Sequence, residues 1–298
     1  MNILSKLENI TDRKNILINE PLKNHTTFKI GGDADYLVMP KTREEIVNLI
    51  KFLKDNSINY FVIGNGSNIL VNDDGFRGVI IKLGSQFSSA TVLGNKIVLD
   101  AGITLKKISN ILTKEGLKGF EELSGIPGSL GGAIYMNAGA YGREIKDVLY
   151  DVTFINSLCE IETLELKDIE MKYRETLFSK ENLVVLGATL ILEKGDKEEI
   201  KKRVREVTKM RVDKQPLNYP SAGSTFKRPE GHFAGKLIED ANLKGYTVGG
   251  AKISKKHAGF VINYNNATFN DVITLTENVK KEVKEKFGVE LELEVKVL

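Results

Sequence analysis

The stretch from Gly125 to Gly142 constrains this chain most. It reads Gly-Ile-Pro-Gly-Ser-Leu-Gly-Gly-Ala-Ile-Tyr-Met-Asn-Ala-Gly-Ala-Tyr-Gly, six glycines in eighteen residues with the rest mostly small or apolar. A plain core helix does not carry this much glycine, because each interior one costs about 0.5–1 kcal/mol relative to alanine. A solvated loop would carry more charge. The composition fits a close approach of backbone to a large flat or phosphorylated ligand, with bare N–H groups as donors.

An earlier segment makes the same demand. Tyr60-Phe61-Val62-Ile63 has the length of a buried strand, and it enters the turn Gly64-Asn65-Gly66-Ser67-Asn68 before Ile69-Leu70-Val71. The turn departs from the dinucleotide fingerprint: Gly64 and Gly66 fit, but Ile69 stands where the third glycine belongs. A Rossmann site is therefore disfavoured, and a pyrophosphate-cradling nest stays open.

The length of 298 residues allows two or three domains with ample core. A net charge of +3 is too small to argue for nucleic acid, although anionic small molecules fit local pockets. Cys159 is the only cysteine, which excludes an intramolecular disulfide framework and a cysteine-based zinc site; it reads as a small buried residue. Met1 to Glu8 shows neither a long apolar core nor a cleavage pattern, and no apolar run approaches membrane-spanning length. A cytoplasmic protein is the expectation.

In chain order, residues 1–20 read as a polar, partly helical lead-in, and Tyr36 to Met39 as a strand stopped by Pro40. Thr42-Arg43-Glu44-Glu45 is a capping box before the apolar face Ile46, Leu49, Ile50 and Leu53. With Val79-Ile80-Ile81 this gives a strand–helix–strand α/β unit. Ile97 to Ala101 is a further strand, and Leu105, Ile108, Ile111 and Leu112 mark a second amphipathic helix. Val148 to Leu192 alternates short β-rich runs with turns, which predicts antiparallel strands, interrupted by Leu166–Arg174, which reads as helical and then as loop. A charged helix follows over Lys197–Arg211, then a linker at Asp213–Pro220. Beyond it lie a short helix at Gly235–Asp240, a long one ending at Gly288, and a half-buried strand over Val289–Val297 with apolar residues at odd positions.

Chemistry-bearing residues are sparse. His25, His232 and His257 have no metal spacing, so surface or core roles compete with any ligand role. A nucleophile elbow and a Walker-type loop are both absent. The segment Pro220-Ser221-Ala222-Gly223-Ser224-Thr225-Phe226-Lys227-Arg228-Pro229 presents a hydroxyl after a glycine, with two cations nearby. Read alone it is better explained as a capped turn. Arg174 alone reads as a surface ion-pair partner, and Glu294 as a solvated strand residue.

Taken in order, these segments resemble the UDP-N-acetylenolpyruvoylglucosamine reductase family. The likeness covers Asn24–Gly32, Val62–Val71, Gly125–Gly142, Tyr173–Phe178, Tyr219–Pro229, Gly235–Gly250 and Leu291–Val297. The resemblance implies a mixed fold, α+β with α/β parts: a three-domain flavoprotein with a vanillyl-alcohol-oxidase-type FAD-binding fold plus a substrate-binding domain. Expected boundaries are 1–84 and 85–207 for the two FAD lobes, with 288–298 joined to the second, and 208–287 for the substrate domain. FAD would be held by Ile63, Gly64, Asn65, Gly66, Ser67 and Asn68 at its pyrophosphate. The flavin and the remainder would lie along Gly125, Ile126, Pro127, Gly128, Ser129, Gly131, Gly132, Asn137, Ala138, Gly139, Ala140, Tyr141 and Gly142.

The implied activity is NADPH-dependent reduction of an enolpyruvyl UDP-sugar in peptidoglycan precursor synthesis. Arg174 and Glu294 would flank the substrate carboxylate, and Ser224 would protonate the α-carbon. Arg211, Lys214, Tyr219, Lys227 and Arg228 are candidates for the UDP part, with Lys227 also a candidate to assist Ser224. The family's longer form carries an inserted tyrosine loop. Here only a short polar segment without tyrosine separates Arg174 from Val184, so this chain resembles the shorter form. Expected partners are the UDP-sugar and NADPH, with no metal, nucleic acid or membrane, in a monomer or weak dimer. The alternatives are another FAD-linked oxidoreductase of this fold acting on an alcohol or hydroxy acid, and a flavin- or nucleotide-binding module without turnover.

Overall fold

A computed structural model describes residues 3–298, and the first two residues of the expected lead-in lie outside the described residues. The chain forms two compact units. The first takes residues up to Ile18, Asp35–Asn65 and Gly78–Lys209; the second takes Asn19–Ala34, Gly66–Arg77 and Met210–Leu298.

The first unit holds the greater part of a four-stranded sheet with the order Ile16–Pro21, Asp33–Val38, Phe76–Lys82, Tyr60–Ile63. The last two strands run parallel, with Tyr60 opposite Val79, which requires a crossover. The helix Arg43–Asp55 precedes the strand Tyr60–Ile63, burying Ile46, Leu49, Ile50 and Leu53 as the spacing predicts. Thr42 caps it by accepting from the Glu45 N–H at 3.1 Å. The other half of the expected capping box is displaced by one residue: the Glu45 carboxylate accepts from the Lys41 N–H at 2.8 Å and from the Thr11 hydroxyl at 3.0 Å. A distant hydroxyl has competed for that carboxylate.

The second sheet of this unit is antiparallel throughout, in the order Ile161–Glu165, Leu149–Ile155, Val184–Ile191, Lys96–Asp100, Ala90–Leu93. The helix Leu105–Glu115 starts at a Thr104 cap and ends at Gly116 with φ 67°. One apolar cluster, from Leu7 through Phe120 to Leu192, fills this unit.

Leu166–Arg174 is not helical. Only Leu166–Asp168 makes a 3-10 turn, and Met171–Lys172 then pairs with Glu175–Thr176 in a hairpin whose tip holds Arg174 at φ 57°. Of the apolar residues there, only Ile169 is buried, so a helix would have had no apolar face to bury. Cys159 is half-buried rather than buried, because it occupies the turn joining two strands, at φ 63°.

In the second unit the short strands Thr247–Val248, Ala251–Ile253 and Val261–Asn263 form an antiparallel sheet. The same unit contains the helices Ala234–Asp240 and Phe269–Phe287. Its own core runs from Phe28 and Ile30 through Ile238, Leu275 and Val279 to Leu291 and Val295. The long helix begins in a reciprocal box between Thr268 and Asp271 and ends at Gly288 with φ 69°. The charged helix spans Lys197–Lys214, past its expected end at Arg211, and stops before Pro216. In the closing segment Leu291 and Val295 are buried, as the alternation predicts. Only Lys296–Val297 makes a regular ladder, parallel to Ile69–Leu70, because that partner is itself two residues long. Among the described residues no helix is long and apolar enough to cross a membrane.

Candidate active site

Within the first unit, tight packing joins the glycine turn to the glycine-rich stretch. A Cβ on Gly64 would stand 2.0 Å from the Ser129 hydroxyl, and one on Gly131 2.9 Å from the Ala101 Cβ. Asn65 Nδ2 donates to the Pro127 carbonyl. Leu105 N–H donates to Gly128 O at 3.1 Å, Leu130 N–H to Ile103 O at 2.8 Å and Gly131 N–H to Ala101 O at 2.8 Å. Ser129 then caps the helix Leu130–Tyr135 by accepting from Gly132 N–H at 3.4 Å.

Other glycines leave backbone open instead. A Cβ on Gly132 would meet only the Ser129 hydroxyl, at 3.5 Å, and one on Gly142 would meet nothing within 4 Å. Gly139–Ala140 pairs with Arg143–Glu144 around Tyr141 (φ 51°) and Gly142 (φ 86°). Two successive positive φ angles in a two-residue loop make a primed hairpin turn. Arg174 donates to the carbonyls of Asn137 at 3.3 Å and Gly139 at 3.4 Å, and its guanidinium lies 4.9 Å from the Tyr173 ring. Tyr135 hydrogen-bonds Asn182 at 3.3 Å, and burial pushes its phenol pKa up.

Within the second unit, Gly66 has φ 61°, and a Cβ there would lie 2.1 Å from the His25 carbonyl. Among the described residues, neither the Gly66 nor the Ser67 N–H donates to a protein acceptor. Beside them the buried Thr26 hydroxyl also has no partner, a polar group that glycine patterning gave no means of finding. Asn68 donates to Glu294 O at 3.0 Å and accepts from Lys296 N–H at 2.9 Å.

The segments that carry Ser224 and Glu294 pair in this unit, with Thr225 opposite Glu294. Glu294 N–H donates to Thr225 O at 2.8 Å, Lys227 N–H to Glu292 O at 2.9 Å, and Phe226 bridges Leu293. Thr225 is buried and doubly fixed, by its N–H to Gly259 O at 2.9 Å and by Val261 N–H to its hydroxyl at 3.0 Å. Ser224 is exposed next to it.

The UDP candidates are scattered around this unit. Lys227 pairs with Glu292 at 3.0 Å, Arg228 lies over Phe233 at 4.5 Å, and Tyr219 packs tilted against Tyr264 with ring centroids 5.6 Å apart. Arg211 and Lys214 lie in the last turn of the charged helix. His257 packs edge-on to Phe260 at 4.8 Å, and burial lowers its pKa. Nothing in its sequence context distinguished it from a surface histidine. His25 pairs with Glu20 at 2.8 Å. Among the described residues no group of three or more potential metal ligands occurs.

Comparison with known proteins accounts for both ends of the chain. Residues 34–165 match an FAD binding domain family, and residues 215–298 match the C-terminal domain of UDP-N-acetylenolpyruvoylglucosamine reductase. The reductase of Caldanaerobacter subterraneus subsp. tengcongensis is 51% identical over 296 residues, 99% of this chain and 98% of that protein. This chain belongs to the UDP-N-acetylenolpyruvoylglucosamine reductase family. The reductase of Alkaliphilus oremlandii is 50% identical over 95% of this chain and 93% of its own length. The crystal structure of the Thermus caldophilus reductase aligns with a TM-score of 0.80 at 34% identity, covering 95% of this chain and 97% of that one. A Phl p 4 variant, a glucose oxidase, aligns over 66% of this chain and 45% of its own with a TM-score of 0.50 at 12% identity, a likeness of fold alone. The fold is thus the mixed α/β one expected, an FAD binding domain with the reductase C-terminal domain.

The residues present fit FAD. Each unit taken by itself offers a part of such a site: in the second, unused N–H groups at Gly66 and Ser67 suit a pyrophosphate, and in the first, open backbone at Gly132 and Gly142 admits a flat ring system.

Proposed function

We propose that this protein reduces UDP-N-acetylglucosamine enolpyruvate to UDP-N-acetylmuramate with NADPH, a step of peptidoglycan precursor synthesis. The observation that carries the reading is kinship with named reductases at about half identity along essentially the whole chain. A bound FAD supplies hydride chemistry, from NADPH to the β-carbon of the enolpyruvyl ether. The protein's own residues manage charge and proton. Ile63 to Asn68 hold the pyrophosphate, and the open glycines of Gly125–Gly142 line the ring.

Hydride addition at the β-carbon leaves an electron pair at the α-carbon, spread into the neighbouring carboxylate. Arg174 places a permanent positive charge against it. Glu294 contributes a hydrogen bond, for which its carboxyl must carry a proton. The Ser224 hydroxyl delivers a proton to the α-carbon, so the double bond gains one hydride and one proton. Lys227, paired with Glu292, is the candidate to restore the serine proton. The backbone pairing of Thr225 with Glu294 supports the joint role of Ser224 and Glu294. Arg211, Lys214, Tyr219 and Arg228 take the UDP part.

The two sheets of the first unit support two FAD lobes divided near residue 84. A substrate domain over 208–287, with 288–298 joined to the second lobe, belongs to the same proposal. A cytoplasmic monomer or weak dimer, working on small molecules without membrane or nucleic acid, completes the proposal. The other oxidoreductase reading has no observation in its favour.

The test is an anaerobic visible spectrum. The protein is expected to be yellow, to bleach with NADPH, and to recolour on adding the enolpyruvyl UDP-sugar. A protein that bleaches and stays bleached with that sugar would overturn the assignment of substrate.

A further inference from the structure

Within the first unit, four hydrogen bonds fasten the hairpin that carries Arg174 to the glycine-rich stretch. Asn137 Nδ2 donates to Lys172 O at 3.1 Å, and the Thr176 hydroxyl donates to Tyr135 O at 2.8 Å. At the tip, Arg174 itself donates to the carbonyls of Asn137 and Gly139. Asn137 is fully buried and stands in the left-handed region at φ 44°. Its second amide proton goes to Glu144 Oε2 at 3.0 Å, and its Oδ1 accepts from Lys146 N–H at 3.4 Å. Both amide donors are thus spent inside the protein. The accepting carboxylate is itself held, since Lys146 Nζ reaches the same Glu144 Oε2 at 2.8 Å. That pairing raises the Lys146 pKa.

Arg174 also has positive φ, at 57°. A long side chain tolerates that conformation only where its surroundings over-determine it. Two of these bonds run through one residue. Asn137 ties the strand entering the tip through its side chain and receives the guanidinium on its backbone carbonyl.

We propose that Asn137 is a positioning residue that sets where the Arg174 guanidinium stands to meet the substrate carboxylate. This rests on the reading of Arg174 as the counter-charge of that carboxylate. It assigns Asn137 a task different from direct contact with the flavin, and the two tasks have separable consequences. A residue acting through Arg174 changes affinity for a carboxylate. One touching the flavin changes flavin retention or its reduction by NADPH.

The experiment compares holoenzyme carrying Asn137→Ala, Arg174→Ala and both. Titration calorimetry would measure binding of UDP-N-acetylmuramate and of UDP-N-acetylglucosamine, the same nucleotide sugar without the carboxylate. In Asn137→Ala the preference for the carboxylate-bearing ligand is expected to fall about tenfold, with UDP-N-acetylglucosamine affinity unchanged within about twofold. Reoxidation by substrate is expected to slow by about 10–100-fold, the scale of a misplaced positioning group, while reduction by NADPH is preserved. Adding Asn137→Ala to Arg174→Ala is expected to change nothing further.

Additive losses in the double variant would overturn the inference, as would loss of flavin or equal slowing of both half-reactions. If Arg174→Ala alone keeps the carboxylate preference, the reading of Arg174 fails, and the inference fails with it. Should Asn137→Ala not fold, Glu144→Gln removes the charge that holds the Asn137 amide without opening a cavity. It is expected to show the same selective loss in smaller measure, and an unchanged preference there would overturn the inference.

Discussion

At the scale of single residues, the site depends on side chains whose neighbours are locked so that they themselves need not be. Thr225 and Phe226 are buried, and Thr225 is held by Gly259, Val261 and Glu294, whereas Ser224 follows Gly223 at φ 77° and is exposed. That arrangement holds a hydroxyl in place without burying it. Ser224→Ala is accordingly expected to leave flavin reduction by NADPH intact and to slow reoxidation by the enolpyruvyl sugar by about 10²–10⁴-fold, the usual effect of a positioned proton donor. Stopped-flow absorbance of the two half-reactions distinguishes this from a structural role, in which both would slow together. The glycines divide in the same way. Gly64 and Gly66 are glycine because a Cβ would collide with Ser129 or with the His25 carbonyl, while Gly132 and Gly142 keep a surface bare.

At the scale of elements, local signals set helix ends where a nearby cap was available. The helix Phe269–Phe287 is the clearest case: Asp271 accepts from the N–H groups of Thr268 at 3.0 Å and Gly250 at 3.0 Å. Those bonds, the Gly250 one foremost, lower the Asp271 pKa. A carboxyl with a lowered folded-state pKa binds fewer protons folded than unfolded. Its stabilisation is therefore present above the unfolded value of about 3.9 and is lost as pH falls through the folded one. Asp271→Ala is expected to cost about 1 kcal/mol near neutral pH, the ordinary worth of a cap, and progressively less below about pH 4. Urea unfolding of both proteins at neutral and acid pH measures it, and a pH-independent difference would refute the role of the charge. The hairpin Met171–Thr176 shows the opposite behaviour, since its local sequence read as helix and tertiary contacts decided otherwise.

At the scale of the whole molecule, the chain crosses repeatedly between its two units, and each unit has its own core. Cofactor binding to the folded protein adds to stability by mass action. FAD at about one hundred times its Kd is expected to contribute about 2.7 kcal/mol, read as a rise in Tm of the apoprotein. No rise on adding FAD would contradict the fit of the glycine segments. Much of this was legible in the chain alone. The apolar spacing of Ile46, Leu49, Ile50 and Leu53, the caps at Thr42 and Gly288, and the β-rich run from Val148 are local signals, and the structure keeps them. The order of the glycine segments among the other motifs announced the family and, with it, FAD. What the chain alone left open was every pairing of residues far apart in sequence. Asn68 meets Glu294 across 226 positions, and Asn137 meets Lys172 across 35. A residue's type records which bonds it is able to make, but burial and the geometry of distant neighbours select which it does make, and those exist only once the chain has folded.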